Sequence, residues 1–123
     1  MSESIEPGIL PVCDVLNMLP GVNTKYSCEG HTVFLMRPYV MFTDPQDVAL
    51  QIHRALGKGR GKDRSLKYCW WIVMHFQDDG SISYCLEPND RRVTARHEWL
   101  FPLWWRRSMN SELIRLARLI QNA

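Results

Sequence analysis

The stretch Tyr68-Cys69-Trp70-Trp71-Ile72-Val73-Met74-His75-Phe76, followed by Asp78-Asp79-Gly80 and Ser81-Ile82-Ser83-Tyr84-Cys85-Leu86, decides the fold. Its first part is almost continuously apolar or aromatic. It is short for a helix and rich in strand formers, so it reads as a central strand covered on both faces. Asp-Gly is a hairpin signal, so Ser81–Leu86 returns antiparallel. A two-residue Asp79-Gly80 turn sets His75 opposite Tyr84 and Met74 opposite Cys85. A longer loop shifts that register.

Upstream, Asp44 is a good N-cap, Pro45 fits the first helical position, and Asp47 suits the positive end of a helix dipole. Val48, Ile52, Ala55 and Leu56 form the buried stripe of that helix, and Gly57 stops it. An earlier helix starts near Pro11, carries Val12, Val15, Leu16 and Leu19 on one face, and ends at Pro20-Gly21. Val22–Cys28 reads as a strand, Glu29-Gly30-His31 as a turn, and Thr32–Met36 as a second extended piece. Tyr39–Phe42 is a third, placed by Pro38 at a sheet edge or a strand start. Downstream, Glu87–Ala95 is a polar loop and Trp99–Trp105 an aromatic patch broken by Pro102. A last helix from about Asn110 turns Leu113, Leu116, Ala117 and Ile120 inward and Arg115 and Arg118 outward. The expected class is α+β, a small antiparallel or mixed sheet with about three helices packed mainly on one face.

Composition bounds the rest. The chain has 123 residues, of which 46% are hydrophobic. That is enough for one domain with its own core, expected over residues 9–123 behind a flexible tail of residues 1–8. The net charge of +2 is too small to argue for nucleic acid by itself, but the cations cluster locally. Met1–Pro7 lacks the basic start and apolar run of a signal peptide, and no apolar run approaches a membrane span. A reducing cytoplasm is the expected location, so Cys13, Cys28, Cys69 and Cys85 are not read as disulfides.

Four groups of residues could carry function. In Ser27-Cys28-Glu29-Gly30-His31, a strand runs into a glycine turn bearing a thiol, a carboxylate and an imidazole. Gly30 permits positive φ, and such a turn can offer main-chain amides to an anion. Cys28 and His31 have the spacing of a metal half-site. Two more ligands would be needed, and Cys13, Cys69, His75 and Cys85 form no second close pair, so no metal is assigned. The second group is the mobile basic loop of residues 57–67. There glycine alternates with Lys58, Arg60, Lys62 and Arg64, which suit phosphate; the spacing is not that of a Walker loop. The third is aromatic: Trp70, Trp71, Trp99, Phe101, Trp104 and Trp105, beside Arg106 and Arg107. These rings could stack on bases, form a dimer interface or simply pack the core. At most one of Trp70 and Trp71 can face a ligand, because adjacent strand residues point to opposite faces. The fourth is histidine. His75, with Cys28 and His31, is a candidate for catalysis if the three share one cleft, whereas His53 reads as surface or packing and His97 is another possible partner for Cys28.

The run Leu16–Thr24, then Ser27–His31, then Pro38–Phe42 resembles a group of small phage and prophage proteins that carry an LPG, then T, then SC-x-GH element. The element is also similar, more distantly, to the Ser-Cys-Ser-Gly-Arg turn of the wybutosine-synthesis tRNA methyltransferases. Glu29 and His31 stand where that family has Ser and Arg. The first resemblance implies a phage-encoded protein acting on a host pathway, for instance by sequestering a signalling nucleotide. The second implies a ligand cleft around the turn and methyl transfer from S-adenosylmethionine to a tRNA guanosine.

Together these readings favour a binding protein for a nucleotide-like or phosphate-bearing ligand, held by Ser27, Cys28, Glu29, Gly30, His31, Lys58, Arg60, Lys62 and Arg64. RNA is a further partner, and a homodimer is expected. Two alternatives stay open: an RNA- or nucleotide-modifying enzyme, and a protein-interaction module. No cofactor is identified.

Overall fold

The computed structural model describes residues 5–31, 36–43, 46–59, 66–94 and 101–123. Its elements are α1 (Leu10–Met18), β1 (Asn23–Cys28), β2 (Tyr39–Thr43), α2 (Gln46–Gly59), β3 (Trp70–Phe76), β4 (Ile82–Pro88), a 3-10 turn (Arg91–Thr94) and α3 (Pro102–Gln121). The four strands form one antiparallel sheet in the order β1-β2-β4-β3. The expected α+β class is what the chain adopts.

The sheet has two unlike faces. Val40, Phe42, Trp70, Tyr84 and Leu86 point to one of them and join a single core with Val12, Leu16, Ile52, Leu56, Met109, Leu113 and Leu116 of the helices. Tyr26, Met41, Val73, Trp71 and His75 point the other way. No described helix packs on that second face, and Tyr26, Trp71 and His75 are exposed there.

Several expectations are corrected. The Tyr68–Phe76 run is not central: β3 is an edge strand, and β2 and β4 are the interior pair. A continuous apolar run shows that a strand can be buried, not how many neighbours it has. The hairpin register also differs by one residue, with His75 opposite Ser83 and Met74 opposite Tyr84. The connection holds three residues rather than two: the Gln77 amide donates to Ser81 O (2.8 Å), the Gly80 amide donates to Gln77 O (2.9 Å), and Gly80 has φ 87°. That is a tight turn closed by a left-handed glycine. One extra loop residue exchanges the faces of all that follows.

β2 begins directly after Pro38, as a strand start, but lies inside the sheet rather than at its edge. Asp44, Pro45 and most of the expected extended piece at 32–36 lie outside the described residues; His31 and Met36 form an isolated bridge. α2 buries Val48, Ala49, Ile52, Ala55 and Leu56 as its stripe predicts. It does not stop at Gly57 but continues to Gly59. An exposed helical glycine costs only about 1 kcal/mol, too little to end a helix. β4 runs on through Glu87 and Pro88, so the expected polar loop is shorter.

α3 begins at Pro102, well before Asn110. Pro102 does not break the aromatic patch but opens the helix, where its missing N–H costs nothing. Trp105 is buried, and its indole N–H donates to Val93 O (2.9 Å). Phe101, Leu103 and Trp104 are exposed.

Glu112 is wholly buried on α3 and ties the sheet to it. Its carboxylate accepts from the Lys67 amide (2.9 Å), the Tyr68 amide (2.8 Å), the Trp70 indole (3.0 Å) and Arg115 (3.1 Å). Glu112→Ala removes the charged acceptor shared by the Trp70 indole and the two amides before β3. A hydrogen bond to a charged group contributes roughly 1.5–3 kcal/mol, so we expect a loss of about 3–5 kcal/mol in urea unfolding.

Asp90 plays a smaller part at the same corner. Hydrogen bonds from the Arg92 side chain, partly offset by burial, hold its carboxyl down at about 2. A depressed carboxyl contributes stability above its unfolded pKa of about 3.9 and loses it as pH falls toward the folded value. Wild type should therefore be more stable than Asp90→Asn at pH 5, with the gap closing between about pH 4 and pH 2 in acid-unfolding curves.

Candidate functional site

β1 ends at Cys28, and the chain turns at Glu29-Gly30 with Gly30 at φ 86°. A side chain at that position would place its Cβ 2.9 Å from Trp105 and 3.0 Å from Pro38. The glycine is thus required twice, by its backbone angle and by the close approach of α3.

Arg106 clamps this turn. Its Nη1 donates to Gly30 O (2.8 Å), its Nη2 to Glu29 O (2.9 Å) and its Nε to Asn110 Oδ1 (2.9 Å). The Glu29 carboxylate lies 3.3 Å from Nη1. Burial pulls the guanidinium pKa down, while Glu29 and Glu6 oppose that shift. Gly8 makes room for the cluster, since a Cβ there would sit 2.6 Å from the Glu29 carboxylate. Of the stretch read as a tail, residues 5–8 are described, and they pack against this corner through Glu6.

The turn's amides are all engaged within the protein. Glu29 N donates to Glu6 Oε1 (3.1 Å), Gly30 N to Cys28 Sγ (3.3 Å) and His31 N to Met36 O (2.8 Å). An anion cradle built from them is not formed. The nearest carboxylates, Glu6 and Glu29, also make the corner a poor host for phosphate.

The corner instead assembles Glu6, Cys28 and His31, whose potential ligand atoms all lie within 4.8 Å of one another. His31 Nε2 is 2.8 Å from Glu6 Oε2, with the two side chains 39% and 35% exposed. Cys28 is buried. Its thiol pKa is pushed up, first by burial and then by Glu6 and Glu29, against a lowering by the Gly30 amide. A free thiol in that state is a weak nucleophile.

Two other expected site residues, Ser27 and His75, are not brought here. Ser27 points to the helix side, level with the core residue Val40. His75 is on the opposite edge strand, three strand spacings or roughly 14 Å across the sheet and further along it, so it cannot act with Cys28. The Lys58 side chain and all of Arg60, Lys62 and Arg64 lie outside the described residues, as do His97 and Trp99. Trp70 and Trp71 divide between the faces as expected: Trp70 is buried and Trp71 is exposed on the open face. All four cysteines are free thiols.

Glu6 is the member that sequence reasoning missed. It stands 22 positions before Cys28, in a stretch without pattern, and only the folded chain end brings it to the turn.

Compared with known protein families, with curated proteins and with solved structures, the chain matches none. Among the described residues, no helix is long and apolar enough to cross a membrane.

Gly30→Val tests the corner. A left-handed angle for a β-branched residue and the contact with Trp105 together should cost roughly 2–4 kcal/mol in chemical denaturation. A wild-type midpoint would show that the turn makes no special demand.

Proposed function

We propose that this chain is a binding protein whose ligand at the 28–31 corner is a divalent transition-metal ion, zinc foremost. The convergence of Glu6 carboxylate, Cys28 sulfur and His31 imidazole carries the reading. Thiolate, imidazole and carboxylate are the donors zinc takes. Around a tetrahedral ion with bonds of about 2.0–2.3 Å, ligand atoms stand roughly 3.3–3.7 Å apart. The contact of 2.8 Å between His31 and Glu6 would open by about half an ångström. Three protein ligands leave one tetrahedral position for water or a small ligand, and the exposure of His31 and Glu6 puts that position toward solvent.

A cation fits this corner better than the nucleotide or phosphate ligand the sequence favours. Support for an anionic ligand now rests on Lys58, Arg60, Lys62 and Arg64 alone. Exposure of Phe101, Leu103 and Trp104 favours a second role in contacting another protein. Free thiols suit a reducing cytoplasm.

The test is zinc and cobalt titration of the reduced, full chain. One equivalent should bind, with a sulfur-to-cobalt charge-transfer band. Cys28→Ser and His31→Ala should each weaken binding by about tenfold or more, and Cys28→Ser should abolish the band. No binding by wild type, or equal binding by both variants, overturns the reading. Native mass spectrometry of the same samples distinguishes metal from retained nucleotide.

A further inference from the structure

The two edges of the sheet are unlike. β1 is Asn-Thr-Lys-Tyr-Ser-Cys, a polar strand with Lys25 at a break in register between Thr24 and Tyr26. A lysine and a bulge are two common ways of keeping an edge strand from pairing with another chain. β3 at the other edge is Trp-Trp-Ile-Val-Met-His-Phe, seven residues without an acid, a lysine, an arginine, a proline or a glycine. Its register with β4 is unbroken from Trp70 to Phe76. Among the described residues only β4 pairs with it.

We propose that the free edge of β3 is where a second copy of this chain pairs, antiparallel across a two-fold axis, joining two four-stranded sheets into one of eight strands. Apolar side chains stand ready on both faces of the seam. Trp71 is 42% exposed on the open face, and Met74 and Phe76 are 66% and 83% exposed on the helix face, beyond the helix layer. β1 offers only Tyr26 on one face, beside a lysine and a bulge, whereas the unbroken apolar edge of β3 has the character of a pairing site.

The occupant follows from charge. Acidic or basic partners would find no ionic complement along this strand, because His75 is its one titratable side chain. A second copy brings the same uncharged strand. A two-fold axis at Val73 sets Trp71 opposite His75 of the partner subunit and Ile72 opposite Met74 of the partner subunit. Each pair stays on its own face, and no like charges meet. The two-fold also keeps both helix layers on one side, so the cores continue across the seam. Two seven-residue strands span only roughly 20–25 Å, a small interface, so dissociation in the micromolar range is expected.

This proposal is independent of the metal corner, which lies on the other edge. Sedimentation velocity of the reduced, full chain across the micromolar range should show a monomer–dimer equilibrium. Met74→Lys with Phe76→Lys changes two exposed side chains. It should weaken the dimer at least tenfold while leaving the circular dichroism spectrum intact. Hydrogen exchange on wild type gives a second reading, in which alternate β3 amides gain protection as concentration rises. A wild type that stays monomeric throughout overturns the proposal. So does a dimer that the double variant leaves unchanged, or concentration-dependent protection confined to elements other than β3. Should the double variant fail to fold, exchange on wild type decides.

Discussion

One planar guanidinium holds the candidate site together. Arg106 reaches two consecutive carbonyls at the exit of β1 and thereby fixes the angle at which the chain leaves the sheet. Two parallel donors on a rigid fork impose a geometry that a lysine could not. With Glu29 and Gly30 held, Cys28 stays buried at the strand end, and His31 is carried to Glu6. Six residues further along α3, Glu112 does the converse, a buried acceptor receiving the amides at the entrance of β3. The two side chains are about 9 Å apart along the helix and serve strands roughly 14 Å apart across the sheet. One helix thus pins both edges, each with a charged group whose partners are mainly neutral, two of the four in each case being main-chain groups.

That arrangement sets the electrostatics of the corner. Arg106 is the one described cation in direct contact with the turn, and its donors are spent on carbonyls, Asn110 and Glu29. The main-chain amides are spent as well. What remains accessible is a carboxylate, an imidazole and, just beneath them, a sulfur. Such a set attracts an electrophile and repels a phosphate. The glycine turn that suggested an anion site from sequence serves instead to let α3 approach closely.

Much of the framework is legible from local pattern. The apolar stripe of α2, the glycine demand at Gly30 and the split of Trp70 from Trp71 each follow from a single element's geometry. What escapes is whatever depends on two distant segments. Nothing near Glu112 marks it as buried, since an acid on a helix is ordinarily solvated and three of its four partners lie more than 40 positions away. Glu6 is invisible for the same reason. The hairpin register turned on one loop residue, and the pattern of Asp78-Asp79-Gly80 fits a two-residue or a three-residue loop. The placement of β3 escapes for another reason. Its apolar character is plain in the sequence, but an apolar run does not say how many strands flank it, and β3 stands at the edge.

The same apolar character has a consequence for how the two halves of the molecule relate. If β3 pairs with its copy, the joined sheet has its polar, bulged β1 strands at both outer ends, and neither end invites further addition, so growth stops at two chains. The corners of Glu6, Cys28 and His31 then stand at those outer ends, separated by seven strand spacings, roughly 33 Å. At that distance neither corner can lend the other a ligand, and a screened charge on one is scarcely felt by the other. Binding at the corner and pairing at the seam would therefore be separate properties of the fold. The open face between them, with Tyr26, Met41, Val73 and Trp71 along it, would become one continuous surface running from corner to corner.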